Sequence, residues 1–341
     1  MNLDIILEPD LSPAEIAEIA VEAERQGFRT LWHSNYHQNP DAFVALAPAA
    51  LRTSRIKLGV LAISPYEIHP IRIANSIATL NEISGGRATV AIGGGGALLA
   101  ATGIKPERMA VGVKDCLEIV RSMVSGQYAR RYKGEVFSLV RPANLDWIKS
   151  TPAQIYTCAA GPKMIDVSAK YADGNQLSDI PPEKVGFYVE KLKAGLSQRE
   201  IPIEDFRIGN FWAWHIKKDK EDSMLEARRE LAVKGQFFPP YDMLPYITEE
   251  ERQEVIKNLK SFQMAYWKRS GIVEGVDSDI VDKLVNAFSS SGGFDSIDEQ
   301  VERFKTFEKA GLTELSIRLF DDPMESLKVI SEQVMPHFER C

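Results

Sequence analysis

Short apolar runs alternate with amphipathic runs along almost the whole chain, and the alternation is completed eight times. The run LDIIL (3–7) precedes SPAEIAEIAVEAERQG (12–27), with Ser12 at the N-cap, Pro13 at the first helical position, Glu15 at the third and Gly27 as the stop. RTLWH (29–33) leads to a helix over 40–53, IKLGVLAI (56–63) to one over 70–83, and ATVAI (88–92) to one over 107–126. QIYTCAA (154–160), GNQLS (174–178) and RIGNFWAWHI (207–216) head the next units, with helices at 162–172 and 182–199. A helix over 296–310, TELSIRL (313–319) and a helix over 322–337 complete the series. Several of these strands are apolar without alternation, as expected of parallel strands covered on both faces. Eight strand–helix units with right-handed crossovers predict a closed (β/α)8 TIM barrel of α/β class. An open doubly wound sheet would seldom need so many successive parallel strands without an antiparallel edge.

Two segments break the period. Residues 127–153, QYARRYKGEVFSLVRPANLDWIKSTPA, carry a short strand around EVFSLV, and residues 235–294 read as helical with polar turns ending in SSSGGFDS. As insertions after strands 4 and 7 of a single domain over 1–341, they account for the length beyond the roughly 250 residues of a plain barrel. A hydrophobic fraction of 44% with 26% charged residues suits a large core, and a net charge of −7 argues against nucleic acid or an anionic membrane as partner. No apolar run approaches the ~20 residues of a membrane span. The start MNLDIILEPD lacks a basic leader region, and Cys116, Cys158 and Cys341 are scattered, so a cytoplasmic protein with reduced thiols is expected. The five histidines show no metal-ligand spacing, and no metal is expected.

In a barrel the chemistry gathers where strands end and loops begin. Those positions hold Glu8 and Pro9 after strand 1, then His33, Ser34, Asn35, Tyr36 and His37 around the end of strand 2. Strand 3 ends in GVLAISPYEIHP, strand 4 in Gly93-Gly94-Gly95-Gly96, and strand 5 in Ala159-Ala160-Gly161-Pro162-Lys163. Ser178 and Asp179 follow strand 6, and FWAWH closes strand 7. Small residues before a helix let a ligand approach the backbone, and the free N–H groups of the helix start favour an anion. Four successive glycines on the neighbouring loop offer further open amides, so the two loops together suit a phosphate and its polyol arm. Trp212 and Trp214 share one face of strand 7, opposite His215; facing inward they would wall a substrate, facing outward they would pack under helices.

The stretches SIATLNEISGGRATVAIGGGG, FRTLWHSNY, IYTCAAGPKMIDVSAKYADG and KAGLTELSI resemble the luciferase-like superfamily of flavin and deazaflavin oxidoreductases. Within it they are most similar to archaeal methylenetetrahydromethanopterin reductases and their coenzyme F420-dependent relatives. The resemblance implies a flavin-type ring across the strand ends, its phosphate on Ala159–Lys163 and Gly93–Gly96. It also implies a strand 3 bulge with a cis non-proline bond, by position Leu61–Ala62, so that Leu61, Ala62, Ile63 and Ser64 prop the ring. Relatives carry Asp-His where this chain has Asn35-Tyr36, an aspartate at Gly96, and a glutamate at Ile6. Glu8 lies two residues beyond Ile6 on the same strand face, positioned to replace the missing carboxylate.

The implied activity is hydride transfer between F420 and a small organic or pterin-like substrate. Glu8, Asn35 and Tyr36 are the catalytic candidates, and His33, Ser178, Trp212 and Trp214 the substrate-binding ones. Arg130, Arg131 or Lys133 would meet the acidic tail that distinguishes the deazaflavin from FMN. Two alternatives stay open: an FMN-dependent two-component monooxygenase using oxygen and supplied by a flavin reductase, or a barrel that binds a flavin without turnover. Relatives are commonly dimers, so a homodimer is expected.

Overall fold

The computed structural model describes residues 1–8, 10–125, 131–199, 205–235 and 243–338; Pro9, Arg130 and Cys341 lie outside them. Eight parallel strands close on themselves: β1 (Asn2–Leu7), β2 (Thr30–Ser34), β3 (Lys57–Ile63), β4 (Ala88–Ile92), β5 (Gln154–Cys158), β6 (Gly174–Ser178), β7 (Arg207–Trp214) and β8 (Glu314–Leu319). Each pairs with the next, and β8 pairs with β1, Ile6 standing opposite both Trp32 and Arg318. This is the TIM barrel that the eightfold alternation predicts.

Side-chain alternation then sorts each strand. Ile6, Trp32, Leu61, Ala91, Tyr156 and Phe211 fill the middle of the barrel, whereas Ile5, Leu31, Val60, Val90, Ile155 and Leu315 face the surrounding helices. Trp32 meets Tyr156 edge to face at 5.3 Å, and a Cβ at Gly59 would lie 2.2 Å from the Trp32 ring, so only glycine admits the indole there. The foot of the barrel is closed by polar side chains. Glu314 accepts from Gln176 Nε2 at 2.7 Å and pairs with Arg29 and with Arg207, while Arg29 also reaches Asp4 at 3.3 Å. The lumen is therefore plugged below and opens only at the strand carboxyl ends.

The outer helices are α1 (Pro13–Gln26), α2 (Pro70–Ser84), α3 (Met109–Val124), α4 (Pro162–Tyr171) and α5 (Pro182–Leu196). In α1, Ser12 and Glu15 form the expected reciprocal cap, and Gly27 ends the helix at φ 92°. The single helix expected over 40–53 is instead two, Ala42–Ala45 and Ala47–Arg52. Pro48, without an N–H, sits at the start of the second.

Between β7 and β8 lie α6 (Lys220–Gly235), α7 (Glu249–Lys257), α8 (Leu259–Trp267) and α9 (Ser278–Phe288), followed by α10 (Ile297–Lys309). Met224, Leu231, Val255, Phe262, Leu284 and Phe288 form a core of their own there, separate from the barrel's. The last helix, α11 (Pro323–Val329), gives way to a π turn and a 3-10 turn rather than running to residue 337. Pro336 cannot donate to the preceding turn and its ring crowds it. The first insertion contributes a two-residue antiparallel pair, Tyr132–Lys133 with Ser138–Leu139. Asp115 anchors it, accepting from the Tyr132 hydroxyl at 2.9 Å and from the Val136 and Phe137 amides at 2.7 and 3.0 Å.

Candidate active site

β3 is irregular at its upper end. The Leu61–Ala62 peptide is cis, and the register against β4 slips so that Leu61 faces Ala91 and Ile63 faces Ile92. Asn35 holds this bulge. Its amide N–H donates to the Leu61 carbonyl at 2.9 Å, and its Nδ2 donates to the Ala62 carbonyl at 3.3 Å and to Glu67 Oε2 at 3.0 Å. Burial raises the Glu67 carboxyl above the usual range, against the Ser64 amide and Asn35. Asn35, expected as a catalytic residue hydrogen-bonding the ring or substrate, therefore has its donors committed to the bulge.

The small-residue turns after β4 and β5 are neighbours, because the strands pair with Ile92 opposite Thr157. A Cβ built on Gly93 would lie 3.5 Å from the Ala62 methyl and 3.6 Å from the Cys158 carbonyl, so the bulge and both turns meet at this point. Gly95 has φ 100°, a left-handed conformation suited to glycine. Gly161 is the N-cap of α4; no side chain caps the helix, and nothing lies within 4 Å of a Cβ placed there. The turn is braced from behind by Asn175, whose Nδ2 donates to the Ala159 carbonyl at 3.0 Å while its Oδ1 accepts from Thr157 at 2.9 Å and Ser168 at 3.0 Å. Rigid support behind an open, uncapped helix start fits an anionic group such as a phosphate.

Opposite these turns stands a charged cluster. Glu8 extends from β1, and Arg318 reaches up from β8 until its Nε is 3.4 Å from Glu8 Oε1. Phe211 supports the guanidinium, its ring centroid 5.6 Å away. Burial pushes the Glu8 carboxyl up to about 7, Arg318 pulling it down while Glu230, Asp10 and Asp179 reinforce the rise. The Tyr36 hydroxyl is pushed up by burial and then by Glu8, and the Cys158 thiol rises to about 12 through burial. Asp179, at φ 52°, accepts from the Ser178 hydroxyl at 3.0 Å. Asn210 fixes that loop by pairing with both main-chain groups of Ile180, at 3.0 and 3.1 Å.

The inserted helices roof this end. A cavity of 360 Å³ is lined by Glu8, Asp10, Tyr36, Glu230, Tyr266 and Trp267, among others. α6 is clamped to the barrel through Glu226, which holds His215 Nδ1 and Lys217 Nζ, each at 2.8 Å, and through Arg229, which pairs with Asp321 at 3.0 Å. Nothing in the sequence pattern marked Glu230 or Asn175 as part of a site. Arg318 did carry a signal, as the lone cation in the apolar run TELSIRL.

Three expected substrate contacts and one cofactor contact are corrected. Trp212 and Trp214 point outward from β7 and are wholly buried against α10, Trp212 on Phe307 at 5.1 Å and Trp214 near Phe304 at 6.1 Å. They pack under helices and form no substrate wall. His33 lies within β2, as expected, but on the outward face beside Leu31; burial lowers its ring to about 4. The Ile63 side chain packs in the outer core, leaving only its carbonyl, which accepts from the Gly93 amide at 2.9 Å. Glu8, Tyr36 and Ser178 do converge at the mouth, Ser178 exposed at the rim. Leu61 and Ala62 face the lumen, Ser64 is buried beneath the glycine loop, and Ala160, Pro162 and Lys163 sit on the α4 turn with Ala159 and Gly161. Arg131 and Lys133 are exposed.

A closed barrel whose β3 bulge meets two open small-residue turns at the mouth defines the site, and the comparisons give its family. The chain belongs to the luciferase-like monooxygenase family, whose model matches residues 4–314. It is 29% identical over 339 residues to the 5,10-methylenetetrahydromethanopterin reductase of Archaeoglobus fulgidus, covering 98% of this chain and 99% of that one. It is 30% identical over 177 residues to the F420-dependent glucose-6-phosphate dehydrogenase of Kineococcus radiotolerans, covering 48% of this chain and 52% of that one. The solved coenzyme F420-dependent tetrahydromethanopterin reductase of Methanopyrus kandleri superposes with a TM-score of 0.82 at 24% identity, covering 99% of each chain.

Proposed function

We propose that this protein is an oxidoreductase that transfers hydride between the deazaflavin coenzyme F420 and a small organic substrate held at the barrel mouth. The observation that carries the reading is the meeting of the cis bulge with two open turns, one of them the uncapped start of α4. That juxtaposition offers an apolar prop for a planar ring and main-chain donors for a phosphate on the same side of the lumen. The residues fit the coenzyme: the Gly161 turn has open space, and Lys163 adds a cation beside it. When bound, F420 supplies a carbon that gives or takes hydride.

The chain's own groups do the rest. Asn35 and Glu67 keep the bulge in place, Asn175 keeps the turn in place, and the apolar plug of Trp32, Tyr156 and Phe211 excludes water from below. Glu8 holds or releases a proton near neutral pH, because burial has moved its carboxyl to about 7. Tyr36 lines the substrate cavity beside it. Relatives and solved structures of like fold whose names state F420 dependence support the deazaflavin over FMN. A homodimer belongs to the same reading, supported by Val44 and Leu51, exposed at 70% and 76% on the two short helices after β2.

Titration of the protein with F420 and with FMN, followed by fluorescence, tests the assignment. F420 is expected to bind at least about tenfold more tightly, and binding of neither would sink it.

A further inference from the structure

The Arg318 side chain makes no hydrogen bond to any described residue, although it is only 13% exposed. Its ion pair with Glu8 is long at 3.4 Å, and Glu8 Oε1 has no hydrogen bond either. A buried guanidinium with five donors ordinarily satisfies them on carboxylates or carbonyls. Here the aromatic face of Phe211 supports the plane, and the buried Nε is left without a hydrogen bond while Asp179 and Glu8 supply the nearby negative charge.

From this geometry we infer that Arg318 is a receptor for an oxyanion of the substrate, a carboxylate in the simplest case, and that Glu8 occupies the receptor until the ligand arrives. The inference rests on the assignment of Glu8 as the proton carrier and adds the chemical class of what it meets. A ligand carboxylate cannot share Arg318 with an ionised Glu8 at contact distance without strong like-charge repulsion. Glu8 therefore takes a proton as the anion binds, and the charge count of the buried cluster is unchanged. The other groups facing the pair are Tyr36 after β2, Cys158 on β5, Asp179 after β6, Glu230 on α6, Tyr266 on α8 and Asp10 in the Glu8 loop. Tyr36, Tyr266 and Cys158 are all pushed upward and stay protonated near neutrality. Glu230 is paired with Arg229 at 2.8 Å, and of the two carboxyls that act most on Arg318, Asp179 first and Glu8 next, Glu8 is the one that lines the cavity and is placed to exchange its proton with the ligand. The cavity beyond Glu8 is lined by the rings of Tyr36, Tyr266, Trp267 and Phe320 and by polar groups, Gln38, Asn39 and Arg269 among them, so the rest of the ligand is a flat body that also carries polar groups.

Benzoate and its neutral isostere benzamide are suitable probes, measured by calorimetry on the protein without coenzyme. Benzoate is expected to bind about tenfold or more tightly than benzamide at pH 6, the ratio a charge-assisted bidentate contact supplies. Its affinity should fall by up to about tenfold per pH unit above pH 7, with close to one proton taken up per benzoate bound at pH 8, where the proton-uptake measurement is made, read from two buffers of different ionisation heat. R318Q should erase the preference for benzoate, R269Q at the cavity rim should keep it, and E8Q should bind benzoate with no pH dependence. Equal binding of the two probes, loss of preference in R269Q instead, or binding without proton uptake in the wild type would overturn the inference; the last needs no variant to fold. F420 titration of the same protein separates the two claims: coenzyme binding without benzoate preference sinks only the receptor, and the converse sinks only the coenzyme reading.

Discussion

Asn35 Nδ2 lies 3.0 Å from Glu67 Oε2, a contact between the β2 and β3 loops that ties the cis bulge to the strand beside it. Asn35→Ala removes this bond and the one to the Ala62 carbonyl, leaving the half-buried Glu67 carboxylate without its amide. Each lost bond of this kind costs about 1 kcal/mol, so thermal denaturation should show a loss of about 2 kcal/mol. Under the proposed reading, in which the bulge props the ring, F420 affinity should fall by about tenfold or more. Unchanged affinity alongside lowered stability would show that the bulge does not touch the coenzyme.

Glu8 makes stability fall as pH rises. Its carboxyl is held at about 7 in the folded protein, above the ordinary 4.5, so between these values the folded state binds the proton more tightly than the unfolded one. The stabilisation is complete below pH 4.5 and lost as pH passes 7, a swing of about 3 kcal/mol. Glu8→Gln fixes the neutral state. Its melting temperature relative to wild type should therefore rise between pH 5 and pH 8, and a constant difference across that range would refute the shift.

The barrel was legible because its strands are buried on both faces and so read as unbroken apolar runs. That property also hides which face each side chain takes. Trp212 and Trp214 lie in a strand of eight buried residues, where alternation gives no clue to inside or outside. His33 was placed in the right strand, but its turn toward the helices was hidden for the same reason. The glycine and small-residue turns were legible because they forgo packing for no local gain. Arg318 and Glu314 were legible in principle, as charges within an otherwise apolar strand, and together they define the top and the foot of the lumen. The support residues Asn175 and Asn210 were not, since a strand asparagine is recognised only once its neighbours across the sheet are known.

Gly161 offers a test in which stability and binding move in opposite directions. Gly161→Asp places a carboxylate at the uncapped N-terminus of α4, in space that no atom fills within 4 Å. Folding should gain about 0.5–1 kcal/mol from the cap and the helix field. The same charge repels a phosphate, so F420 affinity should drop by about tenfold or more in low salt and recover in part as salt is added. A variant that is more stable yet binds as before would move the phosphate elsewhere.

Trp214→Leu separates packing from recognition. The indole sits between β7 and α10 near Phe304, so its removal opens space in the outer core. A loss of about 2–4 kcal/mol in denaturant titration is expected. The Michaelis constant should stay within about twofold of wild type at a temperature where the variant is folded, because nothing at the mouth has changed. A large rise in the constant without loss of stability would restore the tryptophan to the substrate wall.

Glu226 ties the roof to the barrel. Its two oxygens hold His215 and Lys217, each at 2.8 Å, and accept from the Asp321 amide at 3.3 Å. Burial alone would raise its carboxyl, but the bonds from His215 and Lys217 outweigh that and hold it at about 2. A group held lower in the folded state stabilises above its unfolded value of 4.5, and that contribution is lost as pH falls toward 2. Glu226→Gln should therefore cost about 3 kcal/mol at pH 7 and progressively less toward pH 3. Since α6 also carries Glu230 to the cavity, loosening it should raise the Michaelis constant more than it lowers kcat. If the melting deficit of the variant were the same at pH 3 as at pH 7, the clamp would owe its strength to shape rather than to the ionised carboxylate.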